Sequence, residues 1–264
     1  MKPENIRHFD VHSHLNFPQF EADREAVIAE MVAKNIATIT VGTGLETSRQ
    51  AVWLAEKYEN LWAAVGFHPL DAGAVTEGDF AELKKIIGKE KVVAIGECGL
   101  DYSRPLTEDE KKKQKEGFLR QVELAVAADK PLIIHCRDAY EDVLGLLAEK
   151  KKEYGERLRG DFHFFTSPVD VAKKCLELGF YVSFTGPITF TKQYDEVVAF
   201  VPLEKIMIET DAPYAAPARE RGRRNSPLYV GEMAEKIALI KKVALDVVEK
   251  TLVNNAFELF FKKN

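Results

Sequence analysis

Short apolar runs, rich in β-branched and aromatic residues, alternate with longer amphipathic stretches from one end of the chain to the other. The runs fall at 9–12, 37–41, 62–67, 92–96, 132–135, 161–164, 181–185 and 205–209. Apolar residues follow one another within them without polar alternation, which is how parallel strands buried on both faces read. Between the runs, 22–34 and 138–152 repeat apolar positions at the helical period, and 230–243 and 246–261 read as two closing helices. Some helix boundaries are legible too. Thr107-Glu108-Asp109-Glu110 is a capping-box pattern, in which hydroxyl and carboxylate each take a free backbone N–H, and it opens a helix over 107–128. Ser167-Pro168 reads as an N-cap followed by a proline at the first helical position, with Gly179 as the stop.

Eight strands, each followed by a helical segment, predict an α/β fold of the (β/α)8 TIM-barrel type. An open doubly wound sheet fits the same periodicity. The polar residues tip the choice. Imidazoles and carboxylates follow strands one, three, four, five, six and eight. A closed barrel gathers those ends on one C-terminal rim, whereas an open sheet scatters them. No tract rich in Pro, Gly or Ser interrupts the alternation, so one domain is expected over 1–264.

Composition narrows the partners only slightly. A net charge of −5, from 37 basic and 42 acidic side chains, lacks the overall basic footprint common among nucleic-acid binders. Net charge still leaves room for a local basic patch. Cys98, Cys136 and Cys175 are odd in number and lack CxxC spacing. That argues against a disulfide framework and for a reducing cytoplasm. No apolar run approaches the roughly 18 residues of a membrane span, and no signal-peptide core follows the N-terminus. A cytoplasmic protein with no membrane partner is expected.

The rim residues carry the chemistry. In His12-Ser13-His14 the period of two puts both imidazoles on one side of a strand, where a metal ion can use them together. Two rings satisfied by water or by each other is the blander alternative. Glu97 follows the most apolar run, 92–96, and a bare buried charge there would cost several kcal/mol, so it is paired or coordinating. Its two oxygens can bridge two cations, which an imidazole cannot do. His135 and His163 each fit a satisfied core histidine as well as a ligand when taken singly. Asp211 precedes Ala212-Pro213; Pro213 holds Ala212 extended and so should end strand eight directly after Asp211. An aspartate there can ligate a metal or accept a proton from water. His68, in Gly66-Phe67-His68-Pro69, is open between phosphate contact, general acid and a histidine packed at a turn.

With these residues assembled, the chain resembles the TatD family of metal-dependent deoxyribonucleases, among the amidohydrolase-like barrels. The likeness runs almost end to end through six ordered motifs. They are Phe9-Asp10-Val11-His12-Ser13-His14, Gly66-Phe67-His68-Pro69, Gly96-Glu97-Cys98-Gly99-Leu100-Asp101-Tyr102, His135-Cys136-Arg137-Asp138-Ala139, Glu209-Thr210-Asp211-Ala212-Pro213-Tyr214 and Arg223-Arg224-Asn225-Ser226-Pro227. The resemblance implies a hydrolase that cleaves phosphodiesters with a metal-activated water, as a 3′–5′ exonuclease on DNA, single-stranded DNA included. It implies two divalent ions, one held by His12, His14, Glu97 and Asp211, the other by Glu97, His135 and His163. Magnesium or manganese would support activity; the nitrogen-rich donors also suit zinc. Asp211 would orient or deprotonate the water, Glu97 would bridge, and His68 would contact the phosphate or protonate the leaving oxygen. The family pattern departs at one place: His163-Phe164-Phe165-Thr166-Ser167-Pro168 stands where His-Cys-Phe-Ser-Gly is usual.

Substrate contacts follow from spacing. Arg137 lies two residues after His135 and Asp101 four after Glu97, close enough to reach the rim. Arginine suits a bidentate phosphate contact, although Arg137 can equally pair with Asp138 or a helix cap. Arg219, Arg221, Arg223 and Arg224 can track a nucleic-acid backbone, or pair with Glu220 and Glu232. Tyr102, Phe165 and Tyr214 can stack on bases, or pack the rim. Other readings keep the metals and change the substrate, to a small-molecule amide or ester or to an aminoacyl-tRNA ester. A non-catalytic metal-binding barrel is a further reading, against which Asp211 offers a base. Dinucleotide, Walker and GxSxG signatures are absent.

Overall fold

Strands apolar on both faces need cover on both, and the chain provides it by closing its sheet. The computed structural model describes residues 3–261. Its elements run β1 (His8–Ser13), α1 (Arg24–Ala33), β2 (Ile36–Val41), α2 (Leu45–Lys57), β3 (Leu61–Val65) and α3 (Glu77–Ile87). Next come β4 (Val92–Asp101), α4 (Glu108–Ala127), β5 (Leu132–Arg137), α5 (Tyr140–Tyr154), β6 (Gly160–Phe162) and α6 (Val169–Glu177). The chain continues through β7 (Tyr181–Phe184), α7 (Asp195–Phe200), β8 (Ile206–Ile208), α8 (Gly231–Lys241) and α9 (Leu245–Phe260). The strands pair in chain order, all parallel. The expected (β/α)8 TIM barrel is what forms.

Alternate positions divide between two apolar clusters. Leu61, Ala63 and Val65, Leu132 and Ile134, and Ile206 and Ile208 pack with the surrounding helices. Trp62 and Ala64, Ile133, and Met207 gather with Phe9, Val11 and α9 residues Val253, Ala256, Leu259 and Phe260. The rings of Phe9 and Trp62 stack at 5.5 Å, and Phe257 and Phe261 meet Phe9 edge-on at 5.7 and 5.9 Å. The N-terminal ends of the strands are thus sealed by hydrocarbon.

The last seam, β8 to β1, closes beyond the end of β8. Ser13 bridges Ala212, Asp211 N donates to His12 O at 2.9 Å, and His14 N donates to Ala212 O at 2.7 Å. Below that bridge a side chain takes over. The buried Asp10 carboxylate accepts from Thr210 N at 2.9 Å and from the Thr210 hydroxyl at 2.7 Å. Burial pushes the Asp10 acid up to about 8, against those hydrogen bonds.

Some boundaries differ from expectation. β8 stops at Ile208, three residues before Asp211: Thr210 N donates to the Asp10 side chain in place of a backbone partner, and Asp211 itself lies in the left-handed region at φ 51°, which a short polar side chain tolerates. β6 also stops short of His163, whose neighbour Phe164 has φ 48°. Pro168 is the N-cap of α6, not its first helical residue, and no side chain caps that helix. Gly179 closes the end of α6 at φ 84° as foreseen, and Thr107 and Glu110 form the reciprocal capping box.

Candidate metal centre

Two strands make local detours where the polar rim begins. Pairing shifts by one residue between Asp10 and Ser13 in β1, and between Ile95 and Cys98 in β4. Such bulges re-aim side chains. The β4 detour depends on glycine: Gly96 has φ 156° and a Cβ there would lie 2.6 Å from Ile133 O, while a Cβ on Gly99 would meet His135 O at 1.9 Å. Between them Glu97 turns inward.

The histidines converge on that carboxylate. Glu97 Oε1 faces His135 Nδ1 at 2.8 Å, His163 Nε2 at 3.0 Å and His68 Nε2 at 3.4 Å. Its other oxygen, Oε2, faces His12 Nε2 at 3.5 Å and His14 Nε2 at 3.7 Å. Asp211 Oδ1 adds contacts of 3.4 Å to His14 and 3.8 Å to His12. All six side chains expected to ligate metal therefore meet in one place, and the oxygens of Glu97 look toward two different sets of imidazoles, three at Oε1 and two at Oε2.

The nitrogens fit cations. His14 Nδ1 lies 2.9 Å from Val41 O; a carbonyl only accepts, so the proton sits on Nδ1 and Nε2 presents a lone pair inward. Imidazole nitrogens face each other at 3.1 Å between His12 and His14 and at 3.3 Å between His135 and His163. Lone pairs at that spacing repel unless a proton or a cation lies among them. His12-His14-Glu97 and Glu97-His135-His163 each bring three donor atoms together closely enough for one ion.

Electrostatics inside the cluster are reciprocal. Burial works to raise Glu97, but His163, His68 and hydrogen bonds from His12 and His135 hold it well below the usual carboxylate range. Burial works to lower His163 and His135, yet the carboxylates around them win and raise both. His14 is likewise raised against burial by Asp211, whereas burial prevails at His12 and His68. A buried anion among proton-hungry imidazoles is a charge arrangement that divalent cations can replace.

His68 differs in kind. Its Nδ1 accepts from Leu70 N at 3.2 Å, so the ring hydrogen is on Nε2, directed at Glu97. It is a hydrogen-bond donor on the cavity wall.

The remaining expectations spread out. Asp101 is buried behind His135, with Oδ2 at 2.9 Å from His135 Nε2 and Oδ1 accepting from Ser103, and it does not line the cavity. Burial works to raise Asp101, but His135 and Ser103 lower it. Arg137 is exposed on the cavity wall and has no ion-pair partner among the described residues. Arg224 makes two bonds to Asp23, at 2.8 and 2.6 Å, and lies over Phe20; Arg223 pairs with Glu220 at 3.3 Å. Neither lines the cavity. Arg219 pairs with Glu235, and Arg221 covers the ring of Phe190. Tyr102 donates to Asp142 and Phe165 is buried, which leaves Tyr214, 49% exposed, as the aromatic on the rim. The Cys98 thiol points at Ile133 O, and burial keeps it protonated. The atypical loop supplies cavity wall through Phe164, Thr166, Ser167 and Pro168.

One group of residues was not anticipated. Fully buried Glu209 accepts from Phe164 N at 2.7 Å through Oε1, which also faces His163 Nδ1 at 3.4 Å. Its Oε2 takes the Ser183 hydroxyl at 2.8 Å, and the same hydroxyl lies 2.7 Å from Asp161, which burial raises to about 8. One hydroxyl hydrogen cannot serve two carboxylates, so one acid there carries a proton. The signal was available: Glu209 follows three apolar residues, the same argument that singled out Glu97.

The cavity above this cluster measures about 1080 Å³. The family described as "TatD related DNase" matches residues 9–261. The chain belongs to the TatD family of metal-dependent hydrolases. A Bacillus subtilis relative, "Uncharacterized metal-dependent hydrolase YabD", is 42% identical over 96% of this chain and 98% of its own. The Cronobacter sakazakii "3'-5' ssDNA/RNA exonuclease TatD" is 32% identical over 96% and 98%. Among solved structures, the TatD homologue YJJV of Escherichia coli superposes with a TM-score of 0.87 at 28% identity, covering 96% and 98%. The barrel has no helix, among the described residues, long and apolar enough to cross a membrane.

Proposed function

We propose that this chain is a two-metal phosphodiesterase that removes nucleotides from the 3′ end of single-stranded nucleic acid. The observation that carries the reading is Glu97, whose Oε2 addresses His12 and His14 while Oε1 addresses His135 and His163, with His68 beside them. His12, His14, Glu97 and Asp211 would hold one ion; Glu97, His135 and His163 the other. Bound there, magnesium, manganese or zinc supplies Lewis-acid activation of water and neutralises phosphate charge. Asp211, at the cavity wall and close to His14, accepts the proton of the attacking water. His68, whose one ring hydrogen is on Nε2, would give the leaving oxygen a hydrogen bond. Asp101 and Glu209 hold the rings of His135 and His163 from behind. The polarity and the strand preference are supported by the exonuclease relatives.

The test strips the protein with chelator, restores Mg²⁺, Mn²⁺ or Zn²⁺ separately, and supplies end-labelled single-stranded DNA beside an Asp211→Asn variant. Metal-dependent laddering from the 3′ end, lost in the variant, is expected. Full metal occupancy without cleavage would overturn the reading.

A further inference from the structure

Resting on the phosphodiesterase reading, we propose that the cavity recognises only the last two or three nucleotides of a strand, so that short oligonucleotides are substrates as good as long ones. The geometry sets a limit on how much backbone charge the protein can grip. Among the described residues lining the cavity, Arg137 is the only lysine or arginine; it is exposed and has no ion-pair partner among the described residues. Asp71 and Asp138 line the same cavity, and their negative charge opposes the approach of further phosphates. The four arginines that could lengthen the grip lie outside the cavity. Arg219, Arg223 and Arg224 face Glu235, Glu220 and Asp23, and Arg221 lies over Phe190.

What the cavity offers instead is ring surface close to the proposed point of cleavage. Phe17 stacks on His14 at 4.3 Å with planes 15° apart, and Tyr214 meets the same imidazole edge-on at 6.4 Å. Both line the cavity. Two aromatic faces beside one histidine of the cluster can hold terminal bases, because every base has a π-face. At about 1080 Å³ the cavity lies near the upper end of the range that encloses small ligands. Specificity then resides in one phosphate on Arg137, one at the histidine–carboxylate cluster, and one or two stacked bases.

Counting charges makes the proposal measurable. Binding of a single strand weakens with salt at a logarithmic slope of about −0.7 per neutralised phosphate. Two phosphates give about −1.4, whereas recruiting the four outer arginines as well would bring it to about −4. With the metal-loaded enzyme, kcat/KM is measured on a dinucleotide, a trinucleotide and a strand of about twenty nucleotides, between about 50 and 200 mM monovalent salt. The expected result is a kcat/KM flat within about threefold from the trinucleotide upward and a slope no steeper than about −1.4. Arg137→Ala should raise KM for the trinucleotide about tenfold or more, with a smaller change in kcat. A kcat/KM that climbs steadily with length, on a slope near −4, overturns the inference and leaves the phosphodiesterase reading standing. Failure to cleave any strand at full metal occupancy overturns both.

Discussion

The two ends of the barrel are built from the same eight strands and do opposite work. At the N-terminal ends Phe9, Trp62, Phe257 and Phe261 make ring contacts and exclude water. Only three residues beyond Phe9 along β1, His12 joins a cluster of imidazoles and carboxylates. The bulges in β1 and β4 fall at this change, where the strands leave their regular pairing. The lesson is one of separation. Hydrocarbon fixes the frame at one end, so the other can hold acids and imidazoles in contacts that would be costly without a cation or a proton between them.

The largest effect should come from the rim. A His12→Ala/His14→Ala double variant should lose bound metal, with hydrolysis falling on the order of 10³-fold or more, the scale on which a member of a catalytic unit acts. Its thermal unfolding should remain cooperative; loss of folding together with metal would break the separation. At the other end, Phe9→Ala should cost about 3–5 kcal/mol in a denaturant titration, as large core truncations do, with metal content unchanged. A fall in metal stoichiometry for the folded Phe9 variant would show that the ends are coupled. Between these extremes stand the carboxylates behind the rings. Asp101→Asn and Glu209→Gln should each weaken metal affinity about 10–100-fold, measured calorimetrically, without touching the ions directly.

The smallest effect concerns pH at the apolar end. Burial lowers His8 below its ordinary value, although Glu249 at 2.8 Å works against the shift. The unfolded chain takes up this proton near pH 6.5, and the folded chain only at lower pH. The unfolded state therefore binds more protons in that window. Stability from this site is fully present above about pH 6.5 and is lost progressively as pH falls from there through the lower value of the folded chain. Comparing urea midpoints above and below that pH, His8→Gln should show a smaller decline than the parent; an identical decline would clear His8 of any part in it.

How far the chain could be read in advance follows the same division. Local signals survived. The apolar runs became the strands, the Thr107 capping box formed, and the strand-end histidines met at Glu97 because barrel closure brings strand ends together. Signals that depend on distant partners did not. Arg224 looked free for a phosphate, yet its partner Asp23 lies 201 positions away. Asp101 looked like a rim contact because nothing in its own stretch of chain places His135 in front of it. The end of β8 was misplaced since Thr210 N turns to the side chain of Asp10, 200 positions away. Asp161 went unread because its partner Ser183 lies on the next strand, 22 positions away.

If the proposed function holds, Glu97 joins two cations. Loading the stripped protein with Mn²⁺ and recording its electron paramagnetic resonance spectrum reads that junction. Two Mn²⁺ per chain with the signal of an exchange-coupled pair, reduced to uncoupled ions or to a single ion in Glu97→Ala, is the predicted result. A parent protein that binds a single Mn²⁺, or two with no coupling, would contradict it.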